Sequence, residues 1–134
     1  MASTLEGGCQ CGHVRYEIAG EPEGLAVCHC NGCQRQSGSA FGMSLSIAVE
    51  QLTLVSGALE SFEVDCDSGR RKTCSFCPKC GVRIHHATGD GSLAVKAGTL
   101  DDRRALEPQG HYWTAEKQPW VELPPGVASW PDDG

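Results

Sequence analysis

Apolar residues along this chain fall in short alternating runs rather than in helical stripes. Val14, Tyr16 and Ile18 alternate with Arg15 and Glu17, a two-residue period that predicts a strand with one buried face and an end at Gly20-Glu21-Pro22. Leu25-Ala26-Val27 is a second run. Met43–Val49, Leu52–Val55 and Leu59–Val64 predict three further strands separated by turn-forming residues, and Arg83-Ile84-His85 and Leu93-Ala94-Val95 continue the pattern. The helical candidates are short: about Asn31 to Gln36, and a turn near Asp101 to Arg104. Arg70-Arg71-Lys72 reads as a solvated turn. Many short strands with turns between them indicate an antiparallel all-β domain. From Glu116 onward, four prolines and two tryptophans predict an extended C-terminal arm (116–134) packed on a single domain spanning 1–134. Its last residues, Trp130 and Pro131-Asp132-Asp133-Gly134, are expected to be partly disordered.

Composition adds a constraint. With eight aromatics and 40% hydrophobic residues in 134, the apolar core is modest, and a chain rich in glycine and proline gains from a metal crosslink. No run of eighteen apolar residues exists, so no membrane span is expected. Met1-Ala2-Ser3-Thr4-Leu5-Glu6 has neither a basic n-region nor an apolar stretch, so a cytoplasmic location is expected. A net charge of −6 argues against a nucleic-acid partner.

Cysteine spacing then changes the picture. Seven of the nine cysteines form three clusters, Cys9-x-Cys11, Cys28-x-Cys30-x-x-Cys33 and Cys77-x-x-Cys80. In a reducing compartment, close spacing reads as metal ligation rather than as disulfides. The two pairs together supply four ligands, the closed tetrahedral set of a structural zinc. The triple supplies three and leaves one corner free, as catalytic zinc sites do. Two residues between Cys77 and Cys80 allow a tight turn, for which Gly81 offers positive φ, while Gly7, Gly8 and Gly12 give the first pair freedom to wrap around an ion.

Other partitions stay open. Cys74 could replace Cys9 or Cys11; otherwise Cys66 and Cys74 are buried or free thiols. His85, His86 or His111 could fill the vacant corner and make both sites structural. His29 points away from its neighbouring cysteines, as a packed ring or a proton-transfer group.

An open three-thiolate zinc is a weak Lewis acid that suits a soft exogenous thiolate better than a hard oxygen ligand. The chemistry implied is holding and activating a thiol, which attacks a small aldehyde or leaves as a carbon–sulfur bond breaks. The polar segment Gln34-Arg35-Gln36-Ser37-Gly38-Ser39 offers donors for a carboxylate-bearing thiol, with Arg35 and Ser37 as candidate contacts.

Taken together, Gly8-Cys9-Gln10-Cys11-Gly12, the Cys28-His29-Cys30 to Cys33 segment followed by Ser37-Gly38-Ser39-Ala40-Phe41, and Phe76-Cys77-Pro78-Lys79-Cys80-Gly81 resemble the glutathione-dependent formaldehyde-activating enzymes, the family of centromere protein V. Gly98-Thr99-Leu100-Asp101, His111-Tyr112-Trp113 and Pro119-Trp120 extend the likeness over nearly the whole chain. The resemblance implies a β-tent fold of small antiparallel sheets. It also implies a structural zinc on Cys9, Cys11, Cys77 and Cys80 and a labile catalytic zinc on Cys28, Cys30 and Cys33. The implied activity is a carbon–sulfur lyase reaction, run in reverse as condensation of glutathione with formaldehyde. Expected partners are a small-molecule thiol such as glutathione and a small aldehyde, and a homodimer is compatible with them. The competing function is a non-catalytic zinc-stabilised module that binds a protein.

Overall fold

The computed structural model describes residues 4–66, 69–104 and 106–134, so residues 1–3 of the N-terminal segment read above lie outside the described residues. Its strands are β1 (Thr4–Gly8), β2 (Arg15–Ala19), β3 (Gly24–Cys28), β4 (Gly42–Ala48), β5 (Leu52–Ser56), β6 (Glu60–Asp65), β7 (Arg71–Phe76), β8 (Arg83–Ala87), β9 (Ser92–Lys96), β10 (Gly110–Tyr112) and β11 (Ala128–Ser129). One α-helix, α1 (Asn31–Ser37), joins β3 to β4. The all-β expectation holds. Strands β1-β2-β5 form a three-stranded antiparallel sheet, and the others form an eight-stranded sheet in the order β11-β10-β3-β4-β9-β8-β7-β6.

The alternation read from the sequence sets the faces. Val14, Tyr16 and Ile18 from the small sheet meet Leu25, Leu45, Ile47, Ile84, Leu93 and Val95 from the large one in a shared buried core. Tyr16 anchors the seam, its hydroxyl 2.6 Å from Thr99 Oγ1, which in turn donates to the Lys96 carbonyl at 2.7 Å. The Tyr16 ring crosses directly over Gly7, whose position admits no side chain: a Cβ there would collide with the Tyr16 hydroxyl and the Thr99 carbonyl. Gly7 thus makes room for a ring within β1, which differs from the expected role of wrapping an ion.

Three further departures have local causes. Arg70-Arg71-Lys72 is not a simple solvated turn, because Arg71 opens β7 and pairs with Glu63 at 2.9 Å and Asp65 at 3.5 Å on β6. Lys72, Cys74 and Phe76 alternate along that strand, a signal masked by the charged start. The sheet is also not purely antiparallel, since β10 runs parallel to both β3 and β11. Finally, the chain end is fastened down. Trp130 stacks on Tyr112 with centroids 4.6 Å apart, its N–H bonds the His111 carbonyl at 2.9 Å, and Trp113 Nε1 donates to Asp133 Oδ1 at 2.5 Å. Aromatic stacking overrides what a Pro- and Asp-rich ending suggests.

Gly7→Ala is expected to destabilise the protein by about 1–3 kcal/mol through overpacking against Tyr16. Urea denaturation should show a lower midpoint at unchanged m-value; an unaltered midpoint would disprove the close approach.

Candidate metal centre and adjoining cavity

Two turns of the same construction carry the first sulfur group. After β1, the Cys9 N–H bonds the Val14 carbonyl and the Gly12 N–H bonds the Cys9 carbonyl; after β7, the Cys77 N–H bonds the Val82 carbonyl and the Gly81 N–H bonds the Cys77 carbonyl. Gly12 and Gly81 both adopt positive φ, at 84° and 80°. The turns face one another so that Cys9, Cys11, Cys77 and Cys80 offer sulfurs that all lie within 4.8 Å of each other. Cys9 Sγ lies 3.6 Å from Cys11 Sγ, and Cys11 Sγ lies 3.8 Å from Cys77 Sγ. A tetrahedron with zinc–sulfur bonds of about 2.3 Å has edges of about 3.8 Å, so the donor set fits that ion. Backbone donors reach two of these sulfurs: the Val14 N–H lies 3.2 Å from Cys9 Sγ and the Lys79 N–H lies 3.4 Å from Cys77 Sγ. Hydrogen bonds from the backbones of Val82 and Cys11 lower the Cys80 thiol to about 6.

The second group sits where β3 ends and α1 begins. Cys28, Cys30 and Cys33 also place their sulfurs within 4.8 Å of one another. Cys30 is the N-cap of α1 and accepts the Cys33 N–H at 3.3 Å. Hydrogen bonds from Cys28 and Cys33 pull the Cys30 thiol down to about 2, and Cys28 is raised correspondingly. This thiolate-bearing trio also fits a soft cation. No histidine or carboxylate joins either group among the described residues.

The open alternatives resolve on geometry. Cys74 is buried in β7 and Cys66 half-buried beyond β6, and both stay outside the two groups. His111 is taken by His29, whose Nε2 lies 3.0 Å from His111 Nδ1 in a buried stack flanked by Phe41. Burial lowers the pKa of both rings, and their mutual hydrogen bond requires one donor and one acceptor. His29 therefore packs away from its flanking cysteines. His85 and His86 lie on β8, each with a buried Nδ1 that lacks a partner.

Gln34 was not singled out from sequence, yet it locks the trio in place. Its Nε2 donates to the His29 carbonyl at 2.8 Å and to the Glu116 carbonyl at 3.0 Å, and its Oε1 accepts from Gln118 Nε2 at 3.0 Å. The amide thus ties α1 both to the Cys28–Cys30 segment and to residues 116–118.

Beside the trio opens a cavity of about 710 Å³ lined by, among others, Gln36, Ser37, Gly42, Arg83 and Lys96. It adjoins the trio at Gly42, which pairs with Cys28 across β3 and β4. Register puts Cys28, Ser44, Lys96 and His86 on one sheet face, through the pairs Cys28↔Gly42, Ser44↔Lys96 and Ala94↔His86. Of the two contacts expected from sequence, Ser37 lines this cavity, its Oγ donating to the Gln34 and Phe41 carbonyls, whereas exposed Arg35 lines a separate hollow with Gln34 and Gln118. Lys96 and Arg83 went unnoticed. The available signal was a lysine ending the apolar run Leu93-Ala94-Val95.

Two outcomes follow for zinc-loaded protein. Gln34→Ala should release metal from the trio to a chelator about tenfold faster, leaving the four-sulfur site unaffected; equal release would show that the amide does not hold the trio. His86 is held near a pKa of about 3 by burial and by the Lys72, Lys96 and Arg83 charges. Below 6.5 the unfolded chain binds a proton that the folded protein refuses, so this ring's stability contribution is complete above 6.5 and is lost as pH falls toward 3. The slope is at most about 1.4 kcal/mol per pH unit. Denaturation of His86→Gln and of the parent between pH 6.5 and 5 should give the shallower decline for the variant. Parallel curves would contradict the depressed value.

Residues 4–116 match the family model described as glutathione-dependent formaldehyde-activating enzyme. A comparison with curated proteins finds no match. Among solved structures, a Rhodobacter sphaeroides protein is similar, with a TM-score of 0.56, 23% identity, and coverage of 72% of this chain and 88% of that one; at that identity the likeness speaks for the fold.

Proposed function

The chain belongs to the glutathione-dependent formaldehyde-activating enzyme family, and on that premise we propose that it forms and cleaves thiol adducts of small aldehydes, as a zinc-dependent carbon–sulfur lyase of the S-hydroxymethylglutathione synthase type. The observation that carries this reading is the asymmetry between the two sulfur groups: four sulfurs close one, while the other has three, and a cavity of about 710 Å³ reaches those three at Gly42. Cys9, Cys11, Cys77 and Cys80 would hold a structural zinc, and Cys28, Cys30 and Cys33 a labile one. When bound at the trio, zinc supplies a coordination corner that keeps a substrate thiol deprotonated at neutral pH.

The chain's own residues do the rest. Cys30, capping α1, and Cys33, one turn on, fix the trio relative to β3. Gln34 braces that turn through its bond to the His29 carbonyl. In the forward direction a sulfur lone pair forms the carbon–sulfur bond, the carbonyl π pair moves to oxygen, and the alkoxide takes a proton from water. The reverse returns that proton and expels the thiolate. Partners are a low-molecular-weight thiol and a small aldehyde, and a cytoplasmic setting supplies both.

The test is exchange NMR on a glutathione–formaldehyde mixture at equilibrium. Zinc-loaded protein should accelerate adduct interconversion, and Cys30→Ser should lower that acceleration about tenfold or more while keeping one tightly bound metal per chain. Interconversion no faster than in buffer, with several thiols tried, would overturn the lyase assignment.

A further inference from the structure

The face that carries Cys28 also carries positive charge that no carboxylate among the lining residues offsets. Lys96 is only 9% exposed, and among the described residues its ammonium has one hydrogen-bond partner, Ser44 Oγ at 3.3 Å. Arg83 lies over the Phe62 ring, 5.1 Å from its centroid, and its buried Nη1 has no partner. Gln36 Nε2 is likewise buried and unpartnered. Among the described residues the ion pairs use Arg15 and Arg71, neither of which lines this cavity, and no carboxylate lines it at all. The chain has 17 acidic residues against 11 basic ones, so the absence of acid from this one wall is against its overall composition.

Buried cations and amide donors left unpaired are costly, and such groups are retained where a ligand satisfies them. The donors also converge. Around the point where a Cβ on Gly42 would stand, Gln36 Nε2 lies at 3.2 Å, Cys33 Cβ at 3.3 Å and Lys96 Nζ at 3.4 Å. One oxyanion near that point can meet the amide and the ammonium together while its remaining atoms stay beside the cysteine trio. Lys72, half-buried on the same face, adds long-range positive field: its charge acts on Lys96, on His86 and on Cys30.

We propose that Lys96, Arg83 and Gln36 form an anion clamp for the carboxylate of the thiol substrate, so that the enzyme selects carboxylate-bearing thiols over neutral ones. This rests on the thiol–aldehyde reading above and deepens it. Arg83 presents a fork to the carboxylate, Lys96 a point charge, and Gln36 a neutral donor at the end nearest Cys33.

Calorimetry on zinc-loaded protein with S-methylglutathione separates the clamp from the chemistry, because this probe keeps both carboxylates but has no thiol. The free acid should bind at least tenfold more tightly than its dimethyl ester. Lys96→Met and Arg83→Met should each weaken the acid about tenfold or more and leave the ester unchanged. Arg104→Met, which removes a positive charge away from the cavity, serves as the control and should change neither. Without ligand, Lys96→Met should melt no lower than the parent, since it replaces a buried ammonium that lacks an ion-pair partner with an apolar chain; a merely structural lysine would instead lower the melting temperature. Equal binding of acid and ester, or a loss confined to Arg35→Met, would overturn the clamp. Inorganic phosphate competing more strongly than acetate would overturn the carboxylate assignment. Exchange NMR keeps the two claims apart. Acceleration that is equal for glutathione and 2-mercaptoethanol and unaffected by Lys96→Met removes the clamp and leaves the lyase reading. Acid-selective binding without acceleration removes the lyase reading and leaves a carboxylate site.

Discussion

Four sulfurs drawn from turns 66 residues apart, at Cys11 and Cys77, converge within 4.8 Å, and this convergence ties the three-stranded sheet to the eight-stranded one. As thiolates at 3.6–3.8 Å they would repel, each pair by about 4 kcal/mol at an effective dielectric constant near 20. A dication at their centre converts those repulsions into attraction, and the two matching turns hold the sulfurs at the spacing such an ion needs. The core behind them is small and the seam depends on Tyr16 crossing Gly7, so the crosslink and the packing reinforce the same junction. The second sulfur group is built differently. Its ligands come from one strand end and one helical turn, local in sequence, and it joins no distant parts of the fold by itself.

That difference assigns the work. A site that closes the fold gains from rigidity and burial, whereas a trio on a seven-residue helix needs external bracing. Gln34 provides it, spending both ends of its amide on the His29 carbonyl, the Glu116 carbonyl and the Gln118 side chain. The stacked His29–His111 pair joins His29 Nε2 to His111 Nδ1, and neither ring enters the sulfur trio. The trio is thereby shaped by residues from both ends of the chain while its front adjoins open space.

What could be read from sequence was what is local. Cys77-x-x-Cys80 with Gly81 encodes its turn within five residues, and Val14, Tyr16 and Ile18 declare their buried face by alternation alone. Strand β7 was concealed because its apolar side, Cys74 and Phe76, begins behind the charged pair Arg71-Lys72, and Arg71 is held by Glu63 and Asp65 in another strand. Strands β10 and β11 are two or three residues long and owe their existence to pairing with β3 and to Trp130 on Tyr112. Gln34 and Arg83 carry no spacing signal, and Lys96 only that of a lysine ending an apolar run. Their roles arise from tertiary proximity, and a polar residue beside a short apolar run looks the same whether it ends in water or in a cavity.

The two faces of the large sheet complete the logic. One face gives Leu45, Ile47 and Val95 to the core and needs nothing more than apolar packing. The other gives Lys96, Arg83 and a neutral His86, groups whose burial opposes folding unless something anionic compensates. Within the chain the nearest such groups are the cysteines, whose charge draws Lys96 back toward its ammonium form against the effect of burial. Gly42 stands where this face meets the trio, with Cys33 Cβ at 3.3 Å and Lys96 Nζ at 3.4 Å from the point its Cβ would occupy, so a ligand held by one is placed beside the other.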